Sequence, residues 1–304
     1  MTSPSTAIPA IHIGRATPLG PVTYFPLWTD APDTNGLVTG ATALIDVAEL
    51  PGQPEVSHLA VTNPSGAPAL LIEGELLEGG WQHRVLQHDV IVGSGQSLVV
   101  DVACVEAGRW QEKGGHRRQS RRASPRIRAA LHASPAPARQ HEVWERVAGY
   151  ETAFGASATS SYLDHVDHLT SQAPDIIDAL ESARAVEPLA GQRGIVFGVD
   201  GYPVGIEIFE STAALQAHLG QILSSLLLDA TALASGTEPV PGRRARRLAA
   251  HLEGLSPKPE PGLDGGGGTL YAADTDKIVL RGIQMDGRWA HLSVYDRRHP
   301  LLAL

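Results

Sequence analysis

Cysteine, lysine, methionine and aromatic residues are all scarce in this chain of 304 residues. The single cysteine, Cys104, excludes an internal disulfide and any metal site built from cysteines alone. Aromatic residues make up 5% of the sequence, so the core must be assembled from Leu, Val, Ile and Ala. No apolar run approaches the roughly 20 residues a helix needs to cross a bilayer. Residues 1–20 lack a basic region followed by a continuous apolar stretch, so no secretory signal is expected. These absences point to a soluble, cytoplasmic protein without a membrane partner.

Charge is unevenly distributed. The net charge is −9, yet from Lys113 to His141 there are eight basic residues and no acidic one. The remainder carries 16 basic against 33 acidic residues. A mainly acidic surface disfavours nonspecific nucleic-acid binding, while a local basic arm can still clamp one anion. Gln111–Ala138 reads as a long basic loop with one short helix near Arg126–His132. It is either a mobile arm that closes over an anionic ligand or a solvated run of arginines.

Short apolar runs at close spacing predict strands at Val22–Leu27, Ala43–Ala48, Val56–Thr62, Ala69–Leu77, Arg84–Val92 and Ser97–Glu106. Helical spacing follows, in Val143, Val147, Tyr150 and Phe154, in Tyr162, Val166 and Leu169, and from Pro174 to about Ala185. Asp200-Gly201 predicts a type I′ hairpin between Gly194–Val199 and Tyr202–Phe209, and Asp286-Gly287 centres a second pair of strands. Ser211 is placed to cap a helix running to about Ala230, and Arg243–Leu252 reads as a shorter one. The expected class is α+β: an N-terminal antiparallel β-sandwich or barrel-like sheet, a helical segment, and a C-terminal α+β part with two hairpins. The expected division is residues 1–110, a basic loop at 111–139, and residues 140–304 packed on the first part, with one continuous domain as the other possibility.

Polar residues interrupt the strands of the first part at their ends. Glu73 and Glu75 follow Ala69–Ile72, Gln82, Arg84 and His88 surround Val85, and Cys104 and Glu106 close Leu98–Val105. Period-2 geometry would place Glu73 with Glu75, Arg84 with His88 and Cys104 with Glu106. Buried charges are costly unless paired, so such a concentration marks either a site or a structural ion-pair network. Cys104, on an apolar alternating strand, reads as a packed core residue.

Other motifs point nowhere specific. His165 and His168 lie one turn apart without a His-Glu-x-x-His frame, which favours a solvated helix face over a metal site. Gly265–Gly268 has no following Lys-Ser/Thr and reads as a flexible loop. Gly93-Ser94-Gly95 lacks a nucleophile elbow.

The segments LLIEGELLEGGWQHRVL, DVACVEAGRW and QHEVWERV, with GIVFGVDGYPVGIEIFES later, resemble the bacterial ADP-ribosylglycohydrolase and rhodanese-phosphatase-associated family, whose function is uncharacterised. Its motifs fall on Glu73-Gly74-Glu75, Gln82-His83-Arg84, Cys104–Trp110 and Gln140–Trp144, with His83 where the family pattern has Asn. The resemblance implies ADP-ribose or nucleotide-linked metabolism and partner enzymes of that metabolism. On this basis a phosphorylated ribose or ADP-ribose-type metabolite is the expected ligand, bound with or without hydrolysis and without a cofactor or metal. Glu73, Glu75 and Glu106 are the candidate catalytic groups. Gln82, Arg84, Arg109 and Trp110 are the candidate substrate-binding groups, the arginines for phosphate and the tryptophan for a base. The competing expectation is a non-catalytic interaction or scaffold module whose polar cluster only fixes the sheet.

Overall fold

In the computed structural model, residues 6–34, 36–52, 54–133, 136–172 and 174–302 are described. The architecture is α+β. Its largest element is a nine-stranded antiparallel sheet in the order Ile11–Ile13, Val22–Thr29, Gly194–Val199, Tyr202–Phe209, Arg288–Asp296, Ile278–Met285, Thr269–Asp274 and Lys258–Pro259, with Thr17–Leu19 also on Val22–Thr29. Strands from the first 30 residues therefore complete a sheet whose other members follow residue 193. Both predicted hairpins are present, and the turn residues adopt the left-handed conformations a type I′ turn requires: Asp200 and Gly201 at φ 50° and 76°, Asp286 and Gly287 at 52° and 74°.

Each face of this sheet is covered by a helix whose apolar stripe fits it. The helix Thr212–Leu233 buries Leu215, Leu219, Ile222 and Leu226 against the face carrying Ile195 and Phe197. It starts where Ser211 Oγ accepts a hydrogen bond from Ala214 N at 3.0 Å, the predicted cap. The helix Gly242–Glu253 packs Ala245, Leu248, Ala249 and Leu252 on the opposite face, against Val196, Ile206 and Leu292. Residues one apart on the same strand thus serve different layers, as period-2 geometry requires.

The remaining strands form the barrel-like N-terminal part. A six-stranded sheet runs Arg117–Arg122, Glu75–Glu78, Arg84–Leu86, Ser97–Cys104, His58–Thr62, Asp46–Ala48, and a three-stranded one runs Val90–Val92, Ala69–Leu71, Val38–Thr39. Leu59, Val61, Leu71, Leu77, Leu86 and Val92 share one buried cluster. The helices Pro125–Ala133, Ala136–Ala148, Glu151–Phe154, Tyr162–Gln172 and Pro174–Ala185 connect the two parts. Among the described residues, no helix is long and apolar enough to cross a membrane.

Three local expectations are corrected. Ala69–Leu77 and Arg84–Val92 are not continuous strands. Each breaks after three residues and passes from one sheet to the other, so Glu73 and Glu75, like Arg84 and His88, do not share a strand face. The first break is at Gly74, whose φ of +83° and lack of a Cβ admit the Arg128 stem, since a Cβ there would lie 2.5 Å from Arg128 Cδ. Only part of the basic segment is a loop: the expected short helix is present as Pro125–Ala133, but Arg117–Arg122 is a strand paired with Glu75–Glu78 and a further helix begins at Ala136. A run of arginines reads as loop in isolation, but here acidic residues on the neighbouring elements neutralise it. Finally, His165 is buried against Tyr150 and Phe154, while the glycine run Gly265–Gly267 is pinned by backbone hydrogen bonds to Ile91.

Candidate functional site

The polar strand-end residues separate into four places. Glu73 lies in a buried ion-pair network between the two parts of the fold. Its Oε1 accepts from Arg128 Nε and Tyr295 OH, both at 3.0 Å, and its Oε2 meets His132 Nε2 at 2.5 Å and Ser293 Oγ at 3.3 Å. Glu207, on the central hairpin, receives Arg122 at 2.9 Å, Arg128 at 2.5 Å and His291 at 2.8 Å. His291 also reaches Asp89 at 2.8 Å, and Asp89 accepts from Glu73 N at 2.8 Å. Burial works against every charge here, but the opposite charges win. Glu73 is held well below the usual carboxylate range by His132 and Arg128, and Asp89 and Glu207 push His291 up to about 9.

Glu106 and Arg109 form a second unit. Arg109 binds Glu106 at 2.8 and 2.6 Å and donates to the carbonyls of Gly79, Gly80 and Gln111, so one guanidinium ties together three chain segments. Glu106 further accepts from His83 N and Thr159 Oγ1, each at 3.0 Å, and Gln82 donates to its carbonyl. Despite burial, these donors hold the Glu106 carboxyl below its usual range. Trp110, half exposed, tilts over Trp81 with ring centroids 5.6 Å apart. This unit offers an aromatic surface above a saturated ion pair.

Arg84 is the exception among these charges. It is fully buried opposite Cys104 and Leu77 in the six-stranded sheet, and among the described residues no group accepts from any of its three guanidinium nitrogens. Cys104 is equally buried, and burial pushes its thiol pKa up, which makes it unreactive. The Gln140 side chain pairs with Cys104 as a further strand would, accepting from its N–H and donating to its C=O, both at 2.8 Å. That pairing is the physical content of the Gln140–Trp144 motif.

Glu75 is the predicted residue that reaches an open cleft. Its carboxylate receives Arg118 at 3.0 and 2.6 Å on the wall of a cavity of about 370 Å³. His116, Arg117, Arg118, Arg121 and Gln221 also line it. His116 Nε2–H donates to Glu49 Oε1 at 2.9 Å, and burial pulls its pKa below the usual value, so the ring is neutral at pH 7. Gly80 permits this placement, because a Cβ there would lie 2.1 Å from His116 Nε2. A second cleft of about 430 Å³ adjoins the first and shares Arg121 and Gln221 with it. Arg122, Arg184 and Ser224 line this one beside apolar residues such as Leu169 and Leu228. Among the described residues, Arg122 NH2 and Ser224 Oγ have no hydrogen-bond partner.

Glu73, Arg84 and the Glu106–Arg109 pair thus stand apart from the clefts, while Glu75 lines one. The residues missed from sequence are Glu49, His116, Arg118, Arg121, Arg122 and Arg184. Apart from Glu49 and Arg184, they belong to the basic segment, whose lack of acidic residues was the available signal.

A family model for the ARG and Rhodanese-Phosphatase-superfamily-associated Protein domain matches residues 10–295. The match takes in the strands of all three sheets as far as Tyr295 and all the helices described above. The chain belongs to that family, whose name records an association with the rhodanese-phosphatase superfamily. No curated protein and no solved structure matches the chain.

Proposed function

We propose that the protein binds a phosphorylated ribose or nucleotide-type metabolite of the ADP-ribose kind across the two adjoining clefts. The observation that carries this is the position of Arg121, which lines both. A ligand with a charged centre and two flanking groups fits such a shape: phosphates at Arg121 and one ribose or base in each cavity. Each cavity falls within the volume range of small-molecule sites. Arg121 is free to turn to a ligand. Its ion pairs with Asp167 at 2.8 Å and Glu78 at 3.5 Å are partly exposed and of the class worth about 0–1 kcal/mol. Arg122, held by Glu207, contributes a fixed NH2 from below.

For the hydrolytic part of the proposal, Glu75 is the base. It is the candidate carboxylate that lines a cleft, and Arg118 orients it there. Glu73 and Glu106 instead have the surroundings of structural carboxylates, which supports the structural alternative for those two residues.

A thermal-shift screen with ADP-ribose, NAD, cyclic phosphates and nucleotides tests the binding. A ligand at 100 times its Kd adds about 2.7 kcal/mol of stability. Adding any ligand that binds in a turnover assay tests the base. Glu75→Gln should keep binding and lose at least about 100-fold in rate. An unshifted Tm with every compound contradicts the proposal.

A further inference from the structure

Two runs of arginines in the chain have opposite fates. Those between Arg117 and Arg128 are mostly consumed by Glu73, Glu75, Glu78 and Glu207. The helix Gly242–Glu253 carries Arg243, Arg244, Arg246 and Arg247 within five positions, and among the described residues none of these meets a carboxylate. In a protein of net charge −9, four unneutralised guanidiniums on one helix end are a local inversion of sign.

Two of them stand over a cavity. Arg244, Arg247 and His251 line a pocket of about 260 Å³, closed from the sheet side by Tyr202, Arg298 and His299. Its geometry is fixed in advance. Arg244 donates to Gly201 O at 2.6 Å and lies 3.8 Å over the Tyr202 ring, so its guanidinium plane is already oriented. Asp296, the one carboxylate in the lining, is covered by Arg298 through two bonds of 2.9 Å. With Arg298 spent on Asp296, two guanidiniums, Arg244 and Arg247, remain to face the pocket. His299 is buried, and burial lowers its pKa, so it adds no charge at neutral pH.

We propose that this pocket, on the sheet face opposite the helix Thr212–Leu233, is a second binding site that takes the phosphate or pyrophosphate group of a small anionic ligand. Arg247 supplies charge-assisted hydrogen bonds to the phosphate oxygens, and Arg244 on Tyr202 forms a preset wall. The cavity favours a compact anion over an extended polymer, because its volume is small and its cationic groups converge on one concavity instead of tracking along a surface.

Inorganic pyrophosphate is the probe, titrated calorimetrically into the full chain. The variants are Arg247→Gln and Arg244→Gln, combined, and separately Arg121→Gln in the clefts proposed above. All three positions are at least partly exposed, and circular dichroism confirms that each variant folds. Binding should fall at least tenfold in the Arg244→Gln/Arg247→Gln variant, and a binding event should survive Arg121→Gln. Loss of all pyrophosphate binding in Arg121→Gln overturns the proposal without touching the clefts. Unchanged binding in the double variant also overturns it. So does micromolar binding of an oligonucleotide in the absence of pyrophosphate binding, which assigns the arginines to a polymer.

Discussion

Arg128 Nε lies 3.0 Å from Glu73 Oε1, 55 residues away in sequence, with both side chains buried. The same guanidinium also holds Glu207, so it links the N-terminal strand end to the central hairpin of the large sheet. Removing it leaves two buried carboxylates short of a counter-charge. Arg128→Met should therefore cost about 3–5 kcal/mol, measured by denaturant unfolding. A change below about 1 kcal/mol would mean the network is solvated.

The pH dependence follows from the same cluster. His291 has a folded pKa of about 9, raised from 6.5 by Asp89 and Glu207 against the opposing effect of burial. A raised histidine stabilises the fold fully below its unfolded pKa and loses that contribution as pH rises through the folded value. Stability should therefore decline between about pH 6.5 and 9, by roughly 3 kcal/mol if His291 acts alone. Glu73 and Glu207 are depressed, so their contribution is present above the ordinary carboxylate range and fades as the solution is acidified towards their lower folded values. Tm profiles of the parent and His291→Gln should differ by the alkaline decline, and a superimposable slope in the variant would exclude His291 as its source.

Arg84 has the opposite energetic sign. It is buried with no acceptor for its three nitrogens among the described residues, so its charge is a cost where that of Arg128 is a gain. Arg84→Met retains the aliphatic stem and should leave Tm unchanged or raise it, within the range of about 1–4 kcal/mol found for such replacements. A loss of several kcal/mol would show that the guanidinium is bonded in solution.

The local signals in the sequence were legible where short-range chemistry decides the outcome. Asp200-Gly201 suits one kind of turn, and Ser211 has one obvious use as a cap. The polar strand ends were also visible as a concentration of unusual residues. Their grouping was not, because Glu73 and Glu75 sit on either side of a turn that sends them to different arginines. Nor could the strand Arg117–Arg122 be recognised, since the residues that make it a strand lie about 40 positions earlier. A charged side chain states that it needs a partner but not where that partner is. The clefts were beyond reach for the same reason, each being assembled from the basic strand, the Gly40–Val47 segment or the helices.

The central claim is that Arg121 joins two cavities into one ligand site. The most direct measurement is a calorimetric titration of ADP-ribose, AMP and ribose 5-phosphate into the parent protein and Arg121→Gln. ADP-ribose, which can occupy both cavities, should bind tightest, and the substitution should weaken it at least tenfold, about 1.4 kcal/mol. Equal affinity for ADP-ribose in parent and variant, or no binding to the parent, would contradict the account.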